Sequence, residues 1–330
     1  MVAPTAGDAN LPVVQVSLKR AAKRSVLAPA AIPFLKWAGG KRQLLPHLRR
    51  FVPEQLSAYF EPFVGSGALF FDLAASDRLS SVPVTLIDRN ADLIGVYTAL
   101  AREPEAVIAR LRELSARHAV ERDALYYEIR DTRFNPERAA WRQSGGAQAY
   151  PASLAAQLMY LNRTGFNGLF RLNSKGDFNV PVGRYANPRI CDEQNLMSVA
   201  ALLQMPRVAV LHESFEHVAS AARPGDFLYF DPPYAPVSTT AHFRSYTADG
   251  FSDDDQKRLQ QLVVGLARRG CRVLLSNSTA RSIENLYDKN TDARRAGLVA
   301  HRVPARRAIN CDGSSRGFVE EYLVSNVRPS

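Results

Sequence analysis

Seven short apolar stretches separated by helix-patterned segments restrict the architecture of this chain more than any other feature. They lie at 59–63, 84–88, 208–213, 227–231, 272–276, 298–303 and 321–325, with helical periodicity at 65–75, 252–269 and 280–287. Such alternation predicts a doubly wound α/β sheet of about seven strands. The span 91–195 breaks the rhythm. It opens with helical patterns at 104–118 and 121–131, crosses a Gly/Gln/Ser loop near 143–148, and ends in a run rich in Gly, Asn and Arg. An insertion of that size within a parallel sheet predicts a second, mainly helical domain at 91–195, the sheet domain being 31–90 with 196–330. Residues 1–30 have no periodicity and carry Lys19, Arg20, Lys23 and Arg24 against Asp8, the pattern of a flexible basic tail.

Composition then narrows the class. A 46% hydrophobic, 22% charged chain is an ordinary globular mixture, and the net charge of +10 favours a polyanionic partner. Only seven of the 42 basic residues are Lys; Arg suits bidentate contacts to phosphate and guanine, although GC-rich coding also favours Arg. The apolar runs fall short of the roughly 18 residues that span a bilayer, and Asp8 with its polar neighbours makes a poor signal peptide. Cys191, Cys271 and Cys311 are far apart without a CxxC, and no HExxH is present. Neither a disulfide framework nor a zinc site is expected, so a soluble, cytoplasmic protein is anticipated.

The sharpest motif is Asp231-Pro232-Pro233-Tyr234, directly after an apolar strand. Two prolines cannot continue a central strand, so the chain must leave the sheet at a carboxyl end, where open α/β sheets bind ligands. Asp231 and the Pro232 carbonyl can each accept a hydrogen bond from an exocyclic amine, aiming its lone pair at an electrophile. Tyr234 offers a face on which an extruded base could stack. Glu61-Pro-Phe63-Val-Gly65-Ser-Gly67 follows another strand, and Asp88 ends the next, 21 residues after Gly67. That is about where a ribose-binding acid belongs, although Phe70 replaces the third Gly of a dinucleotide fingerprint and an ordinary tight βα turn has the same glycines. Lys36-Trp37-Ala38-Gly-Gly-Lys41 is no Walker A loop, since Leu35 and Arg42 occupy required Gly and Ser/Thr positions. Trp37 suits either a ligand pocket or the core. Between Tyr160 and Ile190, five basic residues, one acid and five aromatics are interleaved with glycines. Arg and Asn can read base edges there while aromatics wedge or stack, so nucleic-acid contact is expected.

Together, FLKWAGGK (34–41), EPFVGSG (61–67), LIDRNADLI (86–94), LNRTGFNGLFR (161–171) with FNVPVGRY (178–185), and YFDPPYAPVS (229–238) resemble the Dam-type DNA adenine-N6 methyltransferases, over about residues 33–326. The resemblance implies a Rossmann-like class I methyltransferase sheet with an inserted target-recognition domain. It also implies S-adenosylmethionine as cofactor, double-stranded DNA as partner, no metal, and a monomer. By the same resemblance Trp37, Ala38, Lys41, Phe63, Gly65 and Gly67 would line the cofactor pocket and Asp88 would hold the ribose. Asp231, Pro232, Pro233 and Tyr234 would be catalytic, with Asp231 between cofactor and target amine. Phe166 and Asn167 would fill the gap beside a flipped adenine, Arg171 would read a guanine, and Lys36 and Tyr185 would contact outer bases or backbone. Phe166 stands where the family commonly has Tyr, which keeps stacking and loses a hydroxyl. GATC is the implied target. Cytosine N4, an RNA adenine or a protein glutamine remain alternative acceptors, and a DNA-binding regulator without catalysis is the alternative of another class.

Overall fold

The computed structural model describes residues 30–330 except 38, 40, 146–147, 237–250 and 307–317. Seven strands form one sheet: β1 (Tyr59–Glu61), β2 (Val84–Asp88), β3 (Val208–His212), β4 (Phe227–Phe230), β5 (Arg272–Ser278), β6 (Val299–Arg306) and β7 (Phe318–Ser325). Their order is β3-β2-β1-β4-β5-β7-β6. The first five run parallel, whereas β7 is antiparallel to both β5 and β6. The expected parallel sheet is therefore a mixed one. Only the eleven residues 307–317 separate β6 from β7, too few for the crossover that parallel neighbours need.

Every residue of β1 and β4 is buried, which explains their unbroken apolar runs. Successive residues feed opposite layers. Leu86, Phe227, Tyr229 and Leu274 join one core, while Ile87, Leu228, Phe230 and Leu275 join the other. Strands β1 and β4 stop earlier than their apolar runs suggest, because Pro62 and Pro232 have no N–H for the ladder. The strand order reverses between β1 and β4, opening a crevice at their carboxyl ends.

The helices are α1 (Leu45–Arg49), α2 (Ala68–Ala75), α3 (Ala91–Arg102), α4 (Pro104–Glu121), α5 (Asp123–Glu128), α6 (Asn135–Gln143), α7 (Ala152–Thr164), α8 (Glu193–Leu203), α9 (Val218–Ala221), α10 (Asp253–Arg268), α11 (Arg281–Leu286) and α12 (Thr291–Arg295). A π-helical turn, Ile129–Phe134, joins α5 to α6. The span 91–195 thus holds more helix than its two legible patterns. In α7, residues on nearly every side are buried, so it lacks the polar stripe that gives a helix its sequence signature. Asn90 caps α3 by accepting from Leu93 N at 3.0 Å, and a Ser252/Asp255 capping box starts α10.

Candidate active site

At the carboxyl end of β1 the chain turns through Gly65 (φ +47°) and Gly67 (φ +65°), left-handed conformations that favour glycine. A Cβ on Gly65 would also come within 2.9 Å of the Trp37 ring. Trp37 stacks in turn on Phe170, with centroids 5.7 Å apart. Asp88, at the end of β2, accepts from Gly65 N (3.2 Å) and Asn90 N (2.9 Å). Burial pushes its carboxyl above the ordinary Asp range, and these backbone N–H groups oppose the rise. Phe63 stacks on Phe215 (5.4 Å) and meets Phe251 edge-on (5.6 Å). Phe215 follows β3 and carries no motif in the sequence; only the placement of β3 beside β2 brings it here.

Glu61 lies beneath this turn, 2% exposed, accepting from Tyr59 Oη at 2.7 Å and Phe70 N at 3.2 Å. Desolvation pushes its carboxyl up to about 8, helped by the neighbouring Asp231 charge and opposed by these two hydrogen bonds. A carboxyl protonated in the fold but ionised in the unfolded chain makes stability fall as pH rises from about 5 to 8. Glu61→Gln keeps an oxygen acceptor and removes the titration. Its melting temperature is expected to depend less on pH over that window than the unsubstituted chain's, and equal slopes would refute the assignment.

The Asp231–Tyr234 segment leaves β4 and is held from four directions. Lys41 Nζ lies 3.0 Å from Asp231 Oδ1, donates to Gly39 O at 2.7 Å, and sits 4.3 Å from the Tyr234 ring centroid. Ser276 Oγ of β5 donates to Asp231 Oδ1 at 2.7 Å, and Tyr234 Oη donates to Glu321 Oε2 of β7 at 2.7 Å. Gln256 of α10 donates to Pro233 O (3.0 Å) and accepts from Asn277 Nδ2 (3.1 Å), while Asn277 Oδ1 accepts from Ala235 N (3.2 Å). Ser276, Asn277, Glu321 and Gln256 escape sequence reasoning because each is an ordinary polar residue in an unremarkable strand or helix.

Burial raises the Asp231 carboxyl above its ordinary value, and the Lys41 charge with the Ser276 bond pulls it back down. Lys41→Met removes the largest opposing influence. The Asp231 carboxyl is then expected to titrate at higher pH, so the acidic limb of any kcat/KM profile that depends on its ionised form should move to higher pH. An unmoved limb, at whatever rate, would show that Lys41 does not govern Asp231.

The basic, aromatic run is tied to the same crevice. Asn162, 2% exposed at the end of α7, accepts from Lys36 N (2.8 Å) and donates to Lys36 O (2.7 Å) and Gly168 O (2.9 Å). Lys36 Nζ lies 3.9 Å above the Tyr185 ring. Lys36 therefore faces this run while the adjacent Trp37 faces the Gly65 turn. Phe166 is 48% exposed on a short 3-10 turn, and Asn167 beside it adopts φ +54°. Arg171 donates through Nε to Asn179 Oδ1 (2.8 Å) and through Nη2 to Asn179 O (3.1 Å). Of the site residues expected from sequence, Ala38 lies outside the described residues. Asn162 stands within LNRTGFNGLFR, where nothing in the local pattern marks this bridge to Lys36.

Among the described residues, no cluster of three or more His, Cys, Asp or Glu could hold a metal, and no helix is long and apolar enough to cross a membrane. Residues 37–303 match the model of the D12 class N6 adenine-specific DNA methyltransferases. The chain is 40% identical to the type II methyltransferase M1.LlaDCHI of Lactococcus lactis subsp. cremoris, covering 89% of this chain and 95% of that protein. It is 38% identical to the type II methyltransferase M.MjaIII of Methanocaldococcus jannaschii, covering 89% and 98%. It is also 37% identical to a DNA adenine methylase of Vibrio cholerae, covering 88% and 94%.

Proposed function

Since the chain belongs to the D12 class N6 adenine-specific DNA methyltransferases, Dam-type enzymes that act on adenine in DNA, we propose that it methylates N6 of an adenine flipped out of a GATC site in double-stranded DNA, using S-adenosylmethionine. A methyltransferase of this family and fold uses S-adenosylmethionine in general. The observation that carries the reading is the meeting of Asp231, Lys41 and Tyr234 at the end of β4, beside the Gly65–Asp88 turn at the ends of β1 and β2.

The residues suit that cofactor. Gly65 and Gly67 bring backbone close to a ligand without a Cβ, and the Asp88 carboxylate is an acceptor for ribose hydroxyls. The stacked Phe63 and Phe215 form an aromatic wall for a purine, and Trp37 and Lys41 close the other side. When bound, the cofactor supplies an electrophilic methyl on a sulfonium.

The protein's work is positioning. Asp231 accepts from the exocyclic amine and the Pro232 carbonyl takes its second hydrogen, which orients the N6 lone pair. Pro232 and Pro233 hold that carbonyl clear of the ladder, and the Tyr234 face stacks on the base. Asp231, raised above its ordinary value, is also suited to receive the proton that N6 sheds. Orientation and exclusion of water supply most of the acceleration.

Residues 91–195 would form the recognition domain, joined to the sheet domain 31–90 and 196–330 through α3. Phe166 and Asn167 would fill the space left by the flipped base, Arg171 would read a guanine, and Lys36 and Tyr185 would contact outer bases or backbone. GATC rests on the match of Arg171 and Tyr185 to the family pattern. The enzyme would act as a cytoplasmic monomer. Expression in a methylation-deficient host, followed by digestion of its DNA with methylation-sensitive nucleases, tests the whole reading. Altered cleavage at GATC is expected. Unaltered GATC cleavage would overturn the target, and DNA free of N6-methyladenine would overturn the activity.

A further inference from the structure

A register device lies behind the Arg171 hairpin. Helix α5, the π-helical turn and α6 form one continuous rod over 123–143. Side chains from this rod bond the backbone of one hairpin arm at Val180 and Phe178, and of the hairpin's turn at Gly176 (φ +84°). Tyr126 Oη (2.9 Å) and Arg130 Nη1 (3.1 Å) donate to Val180 O. Asn135 accepts from Phe178 N (2.8 Å) and donates to Phe178 O (3.1 Å), and Arg138 Nη1 donates to Gly176 O (2.5 Å). Alternate residues of an extended arm direct their polar groups to one side, so the intervening residues face the other arm. There Asn179 N donates to Arg171 O (3.1 Å), and the Arg171 guanidinium bonds Asn179. The Arg171 arm is thus referenced to the rod through a single layer of backbone.

An uninterrupted α-helix could not make these contacts. At about 100° per residue, Asn135 would lie about 180° around the axis from Tyr126, facing away from the hairpin. The π turn absorbs roughly one extra residue, which returns Asn135 to about 80° and Arg138 to about 20° from Tyr126, on the face shared with Arg130. Pro136 supplies the cause: it has no N–H, and its ring conflicts with the carbonyl four residues earlier in an α-helix. Arg138 is anchored in turn. Its Nε donates to both Asp92 carboxylate oxygens at 2.9 Å, in the first turn of α3 four residues after Asp88, and both side chains are almost fully buried.

We propose that Asn135 and Arg138, phased by this π turn, are positioning residues that set the height of the Arg171 arm and hence discrimination at the guanine it reads. The inference rests on the base-reading role of Arg171 given above. Asn135→Ala removes both bonds to Phe178 from a half-buried side chain, and Tyr126→Phe removes one bond to Val180 while preserving shape. The full chain carrying each change would be assayed for kcat/KM on duplexes with the target site and with single-base substitutions, alongside S-adenosylmethionine affinity and melting temperature. Asn135→Ala is expected to lower discrimination at the Arg171 position by about tenfold, and Tyr126→Phe by less, with cofactor affinity within about twofold. A merely structural role would lower the melting temperature and all rates together, leaving the ratio unchanged, and that result would overturn the proposal. Arg171→Ala run in parallel separates the two claims. If it relaxes discrimination and Asn135→Ala does not, only the positioning role fails; if it too leaves the ratio unchanged, the base-reading role fails and this inference with it.

Discussion

Asp231→Ala is expected to abolish methyl transfer, by about a thousandfold or more in kcat, while DNA affinity changes only several-fold. The carboxylate is held between Lys41 (3.0 Å) and Ser276 (2.7 Å), so its geometry is set before any substrate arrives. Truncation would remove the acceptor proposed to orient the target amine and leave the buried Lys41 ammonium without its carboxylate partner. Asp231→Asn keeps an oxygen at the same place and should retain more activity than the Ala variant, which separates orientation from charge. Single-turnover rates with tritiated methyl donor read both. Turnover by the Ala variant near that of the unsubstituted enzyme would sink the role given to Asp231.

The second large effect falls on recognition rather than chemistry. Arg171→Ala should cost about 1–3 kcal/mol at a single guanine position, with specificity relaxed there and little change elsewhere. The two bonds to Asn179 orient the guanidinium on an exposed arm, so less side-chain entropy is lost on docking. Competition binding against single-base variants of the target distinguishes the outcomes. Uniform weakening across all sequences, with a smaller salt dependence, would instead make Arg171 a phosphate contact.

Much of this site is legible in the chain because its signals are local. Proline pairs after an apolar run mark a strand exit whatever the rest of the molecule does, and Gly65 and Gly67 mark a turn that needs positive φ. The supporting residues behave differently. Ser276 reaches Asp231 across 45 positions and Glu321 reaches Tyr234 across 87, and neither stands in a pattern that spacing could reveal. Phe215 looks like any aromatic after a strand until β3 is placed beside β2. The π turn is a further case, since Pro136 reads as a helix end although the rod runs on through α6.

The sequence by itself determined roughly where the seven strands lie and that the chain must leave the sheet at Pro232 and Pro233, because steric limits at Pro and the burial of apolar runs act within a few residues. Tertiary structure alone decided that β4 lies next to β1, that β7 turns against its neighbours, and that Lys41 rather than another cation meets Asp231. Those outcomes depend on packing and desolvation summed over residues far apart in the chain, which no short stretch of sequence encodes.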